Sequence, residues 1–513
     1  MGLVVTPKEM GELDRATIEA GTPETELIER AGSAVAWRAR RLLGGTYGRR
    51  VVVACGKGNN GADGRVAARL LRAWGVRVAQ FSIADELDRD DAAREIARAD
   101  LFVDAMFGTG FRGALGADAA WLAEEVSGVR LVLAVDIPSG VDGLTGAVHG
   151  PVVRAHTTVC FAYLKPGLLF EPGRSNAGAV EVADIGIHRR SGWFGYSPLV
   201  GPPPLRMRVT TAADARAALG VRAADEHKWR AAVLVVGGSA GMIGAPGLSA
   251  RAALRTGSGM VVAAVPGAEA AARIGGGEVV ARAMPATVGG ALAEGAAGEL
   301  LGAYVARFKA VAIGPGLGRA PETAAAVARL VTDVPVPLVI DADALTVLAD
   351  DPTPFASRFS MEYEQELDGP ENRPPESRRP MAVITPHDGE YERLAGHPPD
   401  EDRVQAACEL ASRLKVVVLL KGPATVVAEP NGRVAINPTG SAALATAGTG
   451  DVLTGIVAAL LARGAPPFEA AAAAAWIHGR AAEVAGTAPG LVAGDLIDAL
   501  PRTLRLLSDP SED

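Results

Sequence analysis

Short apolar runs that end in glycine and an acid recur along this chain, each followed by residues at helical spacing. This alternation restricts the fold more than any other feature. Residues 50–55 (Arg50-Val51-Val52-Val53-Ala54-Cys55) run into Gly56-Lys57-Gly58-Asn59-Asn60-Gly61-Ala62-Asp63-Gly64, and a helix is predicted over 66–74. Residues 232–236 run into a glycine loop at 237–244, with a helix predicted over 248–256. Strand, turn and helix in that order build a mostly parallel sheet with ligand sites at the carboxyl ends of its strands. Further strands are predicted at 76–81, 101–104, 131–136, 157–162 and 179–184. A second series is predicted at 260–265, 310–313, 338–340, 382–385 and 416–421, followed by a hairpin at 425–436. Helices are predicted over 8–42, 322–331, 388–395 and 402–414.

At 513 residues the chain is too long for one ordinary core. Residues 192–204 are rich in glycine and proline and end in Pro202-Pro203-Pro204, a stiff spacer. The boundary is placed near residue 205, giving domains 1–205 and 206–513. Residues 354–380 are charged and proline-rich, and read as a surface insertion. The net charge of −8 argues against nucleic-acid binding. The cysteines Cys55, Cys160 and Cys408 are far apart, so neither a disulfide frame nor a zinc site is expected, and a reducing cytoplasm fits. The start of the chain is not expected to act as a signal peptide, and no run is expected to cross a membrane. Small-molecule nucleotides and a homo-oligomer are the expected partners. Basic residues are mostly arginine. The only lysines are Lys8, Lys57, Lys165, Lys228, Lys309, Lys415 and Lys421, which raises the question of where a compact ammonium is needed.

Three strand ends in the first half carry chemistry. The first matches GxGxxG, but the acid that would close a dinucleotide site is missing, since the second strand ends Ala79-Gln80-Phe81-Ser82. Its unusual part is Asn59, Asn60, Gly61, Ala62 and Asp63, whose oxygens suit nucleotide hydroxyls or a hard or monovalent cation. The second is Asp104-Ala105-Met106-Phe107-Gly108-Thr109-Gly110-Phe111-Arg112-Gly113, and the third is Asp136-Ile137-Pro138-Ser139-Gly140-Val141-Asp142.

In the second half, Gly448, Thr449, Gly450 and Asp451 open an apolar helix. Unpaired N–H groups there would receive phosphate charge while Asp451 takes a proton from a hydroxyl. The loops Gly237–Gly244 and Gly314–Gly318, the acids Asp341 and Asp343, His387, and Lys421-Gly422-Pro423-Ala424-Thr425 fall at neighbouring strand ends. By themselves these residues describe phosphoryl transfer, as in a ribokinase-like small-molecule kinase fused to a nucleotide-binding domain.

The motifs GNNGxDG, DAxFGTG and DIPSGxDxxTG resemble the N-terminal YjeF domain, the NAD(P)H-hydrate epimerase family. HKxxxxVLVVGGSxGMxGA, GPGLG, DADAL, TPHxGE, KGxxT and ATxGTGDVLTG resemble the ADP/ATP-dependent NAD(P)H-hydrate dehydratase family. The resemblance implies a Rossmann-like three-layer α/β sandwich followed by a ribokinase-like α/β domain. It implies epimerisation at C6 of the hydrated ring, then ADP-dependent dehydration to NAD(P)H with release of AMP and phosphate. Asn59, Asn60, Gly61, Ala62, Asp63, Gly108, Thr109, Gly110, Phe111, Arg112, Gly113 and Ala114 would line the hydrated nucleotide. Asn60, Asp104 and Ser139 would hold K⁺, and Asp136 would be the acid/base residue. Lys165 would touch phosphate or sit exposed in a turn. In the second domain Asp451 would be the base and Gly448, Thr449 and Gly450 the anion hole. Lys421, Gly422, Pro423, Ala424, Thr425 and Gly450 would bind ADP or ATP, with Mg²⁺ bridging phosphate oxygens. Ala245, Gly316 and His387 would contact the substrate. Ala62, Ala447 and Pro246 depart from the usual residues of these families.

Overall fold

A computed structural model describes residues 2–187, 206–222, 225–275, 277–357, 382–486 and 489–508. The chain divides into two compact units, Met1–Pro202 and Pro203–Asp513. The spacer at 192–204 and most of the insertion at 354–380 lie outside the described residues.

The strands of the first unit are β1 (Arg50–Cys55), β2 (Arg77–Ser82), β3 (Leu101–Ala105), β4 (Val132–Val135), β5 (Thr157–Phe161) and β6 (Ala179–Ala183). They form a parallel sheet in the order β2-β1-β3-β4-β5-β6, with Val51 opposite Leu101 and Leu133 opposite Thr157. The inner strands are buried almost throughout, which is why they read as unbroken apolar runs. The edge strands β2 and β6 carry Arg77, Gln80 and Glu181, polar residues that discourage pairing with another chain.

One element starts earlier than its composition suggests. Asn, Gly and Asp favour turns, yet the helix after β1 runs Asn59–Ala73, so the Asn59–Asp63 cluster is its opening. Packing decides the matter. A Cβ on Gly61 would stand 2.0 Å from the Gly56 carbonyl oxygen, and one on Gly64 would stand 2.4 Å from the Ala105 methyl. These glycines let the helix lie close on the sheet. Ala62 is helical, so its methyl needs no special backbone geometry.

The second unit contains β7 (Arg206–Val209), β8 (Ala232–Val236), β9 (Met260–Pro266), β10 (Val280–Met284), β11 (Ala310–Ile313), β12 (Leu338–Ile340), β13 (Ala382–Ile384), β14 (Val417–Leu420), β15 (Thr425–Ala428) and β16 (Arg433–Asn437). Their order is β10-β9-β8-β11-β12-β13-β14-β15-β16-β7. The run from β10 to β14 is parallel, β15 is antiparallel to both β14 and β16, and β7 closes the edge parallel to β16. The edge strands β7 and β10 are short and arginine-bearing, and were not foreseen from pattern.

The helix Thr449–Ala462 is buried nearly all round. It lies against the helix Gly244–Arg255, which begins four residues before the predicted 248–256. At Gly455 a Cβ would meet the Ser249 carbonyl oxygen at 2.2 Å, so the two backbones touch there. Gly455→Ala should therefore destabilise the protein by about 1–3 kcal/mol through overpacking. A denaturant midpoint within error of the parent protein would contradict this contact.

Candidate functional sites

In the first unit, a cleft of about 1070 Å³ opens at the carboxyl ends of β1, β3 and β4. Asn59, Asn60, Asp63, Gly108, Thr109, Gly110, Phe111, Arg112, Ala114 and Asp136 line it, while Gly61, Ala62 and Gly113 are not part of its wall. Asp136 follows β4 with φ of 65°, a left-handed conformation that costs a non-glycine residue about 1–2 kcal/mol. Its amide donates to the Val159 carbonyl at 2.8 Å, which fixes the turn. Its carboxylate accepts from Lys165 Nζ at 2.6 Å, from the Phe161 amide at 3.3 Å and from the Thr109 amide at 3.3 Å.

Lys165 corrects the sequence expectation. It is neither an exposed turn residue nor an open phosphate contact, being 1% exposed and held by Asp136 and by the Phe161 carbonyl at 2.9 Å. Burial opposes its charge, but Asp136 more than compensates, so the ammonium is held above its ordinary range. Asp104 is fully buried. It accepts from the Ser139 hydroxyl at 2.6 Å, the Ser139 amide at 2.7 Å and the Met106 amide at 3.2 Å. Burial still pushes it up to about 6. The Asn60 amide group donates to the Phe107 carbonyl at 2.7 Å.

Asp63 is pushed up to about 8 by burial, and then by the charges of Asp136 and Asp14. Asp14, in the helix Pro7–Glu19, lines the same cleft and is pushed up to about 6, again chiefly by burial. It was not singled out as a site residue, because it lies on a regular amphipathic helix with no turn or glycine signal beside it.

In the second unit the helix Thr449–Ala462 starts from Gly448 at φ 89°, where a Cβ would also meet Leu248 at 2.8 Å. Thr449 spends its amide on the Thr446 carbonyl and its hydroxyl on the carbonyls of Leu444 and Thr446. The Gly450 and Asp451 amides have no backbone partner among the described residues, unlike the amide of Thr449. Ala447 is exposed and its φ is not left-handed, so the turn does not demand glycine there. Pro246 is the third residue of its helix, where a missing N–H costs nothing.

Lys421 Nζ bridges Asp341 at 2.9 Å and Glu390 at 3.6 Å. Asp341 also accepts from the Thr454 hydroxyl at 2.5 Å. Burial would raise Asp341, but Lys421 and these hydrogen bonds hold it below the usual carboxylate range. Asp451 is pushed up to about 7, first by burial and then by Asp341, against the opposing charge of Lys421. Its own carbonyl accepts from the Ser249 hydroxyl at 2.8 Å.

The glycine loops close around this centre. Gly316 has φ of 64°, and a Cβ there would meet the Met242 carbonyl at 2.5 Å and the Ala245 methyl at 3.2 Å. Ser239 donates to the Gly316 carbonyl at 2.9 Å, and the Gly318 amide donates to Asp343 at 2.9 Å. His387 caps the helix Asp388–Ala395, its Nδ1 accepting from the Gly389 and Glu390 amides. The cap carries Glu390 towards Lys421. Arg403 donates to the Lys421 carbonyl at 2.8 Å and packs beside Gly422. His478, buried beside the start of the helix Thr449–Ala462, bonds the Thr449 carbonyl at 2.9 Å through Nε2, and burial lowers it to about 4, keeping it neutral. Thr454 falls within the ATxGTGDVLTG motif without a role being read from it, while Arg403 and His478 lie on regular helices outside every motif.

Known proteins resemble this chain in sequence. Residues 233–502 match the family model of NAD(P)H-hydrate dehydratases, and residues 24–100 and 84–167 match that of the YjeF-related protein N-terminus. The chain is 41% identical over 547 residues to the bifunctional NAD(P)H-hydrate repair enzyme Nnr of Moorella thermoacetica, covering 99% of this chain and 98% of that protein. It is 38% identical over 546 residues to the protein of the same name from Salinibacter ruber, covering 97% and 95% respectively. The crystallised ADP/ATP-dependent NAD(P)H-hydrate dehydratase of Bacillus subtilis is 31% identical, with a TM-score of 0.47 over 58% of this chain and 98% of that one. With both family models matched in order and full-length relatives this similar, the chain belongs to the family of bifunctional NAD(P)H-hydrate repair enzymes, which join an epimerase domain to a dehydratase domain.

Proposed function

We propose that the second unit uses ADP or ATP to phosphorylate the C6 hydroxyl of a hydrated nicotinamide nucleotide, with Asp451 as the base. The observation that carries this reading is Asp451 itself. It is lifted to about 7 at a helix N-terminus whose Gly450 and Asp451 amides are free to receive charge. Asp451 takes the hydroxyl proton as the oxygen bonds to the terminal phosphorus, and the bridging P–O bond of the nucleotide breaks. With ADP the products are AMP and a C6 phosphate ester. The ring nitrogen then pushes phosphate off C6, a proton leaves C5, and NAD(P)H is restored. Lys421, Gly422, Pro423, Ala424, Thr425 and Gly450 hold the adenine nucleotide. Ala245, Gly316 and His387 face the substrate. Among the described residues no group of three His, Cys, Asp or Glu side chains is arranged to hold a metal. Lys421 and the Gly450 and Asp451 amides would hold the nucleotide phosphates, and Mg²⁺ would there neutralise charge.

The first unit, in this reading, inverts C6 of the hydrated ring with Asp136 as its acid/base residue. Asn60, Asp104 and Ser139 would hold K⁺. The donors are all oxygens, and Asp104 is a fully buried carboxylate with no ion-pair partner among the described residues. Such a group suits a weakly hydrated cation, which would compensate its charge.

Asp451→Asn should lower dehydration about 10²–10⁴-fold, the usual worth of a general base, and leave epimerisation intact. In the parent protein, dehydration should rise with pH through about 7, because the base must be ionised. Asp136→Asn should show the opposite selectivity. Lys165→Met should remove epimerisation and destabilise the fold by about 3–5 kcal/mol, because it strands a buried carboxylate. Hydrate plus ADP giving no recovery of reduced-nicotinamide absorbance would defeat the whole reading.

A further inference from the structure

We infer that Asp63 is a second catalytic carboxyl of the first site, the acid that works opposite Asp136 at the inverting carbon. This rests on the reading of that cleft as the epimerase centre. Inversion at C6 needs one group to protonate the departing hydroxyl and another to deprotonate the incoming water. A single carboxylate held by Lys165 supplies only the base.

Asp63 has the placement for the other role. It lines the cleft that Asp136 lines, yet is only 6% exposed. Its backbone is pinned where the helix Glu24–Leu43 crosses, since a Cβ on Gly32 would stand 2.7 Å from the Asp63 carbonyl oxygen. No hydrogen bond or ion pair among the described residues reaches its carboxyl group. The charged groups of the cleft and its helix are Asp136 beyond β4, Asp14 and Arg15 from the helix Pro7–Glu19, Glu24 from the next helix, Lys57 after β1, Arg65 on its own helix, Arg112 (paired with Asp142) after β3, and Lys165 behind Asp136. Arg65 spends one N–H on the Gly56 carbonyl. Lys165 is committed to Asp136. Burial and two neighbouring acids thus keep the Asp63 proton on up to about 8. The Thr109 hydroxyl, buried and without a partner, adds a polar group to the same wall.

The step balances. Asp63 gives its proton to the C6 hydroxyl, the C6–O bond breaks with its electron pair leaving on water, and the ring-nitrogen lone pair forms the C6=N bond. A water on the other face then bonds to C6 and loses a proton to Asp136, and the electron pair returns to nitrogen. Asp63 ends as a carboxylate and Asp136 as an acid. Water in the cleft carries a proton back, or the opposite epimer is consumed in the reverse direction.

The test uses the full-length protein and a single purified epimer without ADP, following the epimer ratio by chromatography. Asp63→Asn keeps the shape but cannot titrate. It should lower kcat for epimerisation about 100-fold or more, with KM within about 3-fold and dehydration of the substrate epimer unchanged. The parent protein should lose epimerisation as pH rises through about 8, because the acid must be protonated. The residual rate of Asp63→Asn should lack that limb. Its stability should exceed that of the parent protein above this pH and match it near pH 4, because a raised folded-state pKa loses stability as pH rises. Epimerisation within 3-fold of the parent protein, or an unchanged alkaline limb, would overturn the role of Asp63. Asp136→Asn run alongside separates the two failures. If it is inactive while Asp63→Asn is normal, only this inference falls. If Asp136→Asn is also normal, the assignment of the cleft falls with it.

Discussion

Both sites depend on a lysine driven into a strand-end carboxylate. Lys165 grips Asp136 in the first unit and Lys421 grips Asp341 in the second. Taking two ions out of water is costly, and the pair survives because each partner is also hydrogen-bonded. Lys165 finds the Phe161 carbonyl, and Asp341 finds Thr454. A compact ammonium can satisfy such a crowded shell where a planar guanidinium would not fit. In a chain that otherwise prefers arginine, arginines serve exposed pairs such as Arg69–Glu29 and Arg89–Asp118. Those pairs contribute little.

The anchored anion has a second effect in each unit. It raises the proton affinity of an acid beside it. Asp136 lifts Asp63 and Asp14, and Asp341 lifts Asp451. Two unrelated sheets thus arrive at one electrostatic device, a fixed carboxylate paired with a lysine and a nearby carboxyl tuned towards neutrality. Burial supplies the larger part of the lift in every case and the neighbouring charge adds to it. Such tuning suits acid and base chemistry near neutral pH.

Much of the fold was legible in the sequence, because buried parallel strands announce themselves as apolar runs and their ends as glycine and acid. Asp136 and Lys421 stand at such ends, and Asp451 stands in the glycine-led opening of a helix. Other features lay outside that pattern. The helix start at Asn59 is set by close packing of Gly61 and Gly64, which overrides the turn preference of its residues. Lys165 reads as a turn lysine until the chain folds its ammonium inward. Asp14 and His478 sit on regular helices, where nothing local distinguishes a cleft or a buried acceptor from ordinary surface or core. Short edge strands with alternating arginines look like loop when read alone.

The hydroxyl of Ser249 on the Asp451 carbonyl, and the bare backbone contact at Gly455, join the helix Gly244–Arg255 to the helix Thr449–Ala462. Ala245 in turn touches the Gly316 loop. The start of the helix Thr449–Ala462, the helix Gly244–Arg255 and the Gly316 loop therefore form one casting, in which a change at any point strains the rest. The turn from Lys421 to Thr425 lies in the hairpin between β14 and β15, held by Arg403 and by the Pro386 carbonyl and tied, through Lys421, Asp341 and Thr454, to the helix Thr449–Ala462. One ion pair thus couples that turn to the helix that carries Asp451.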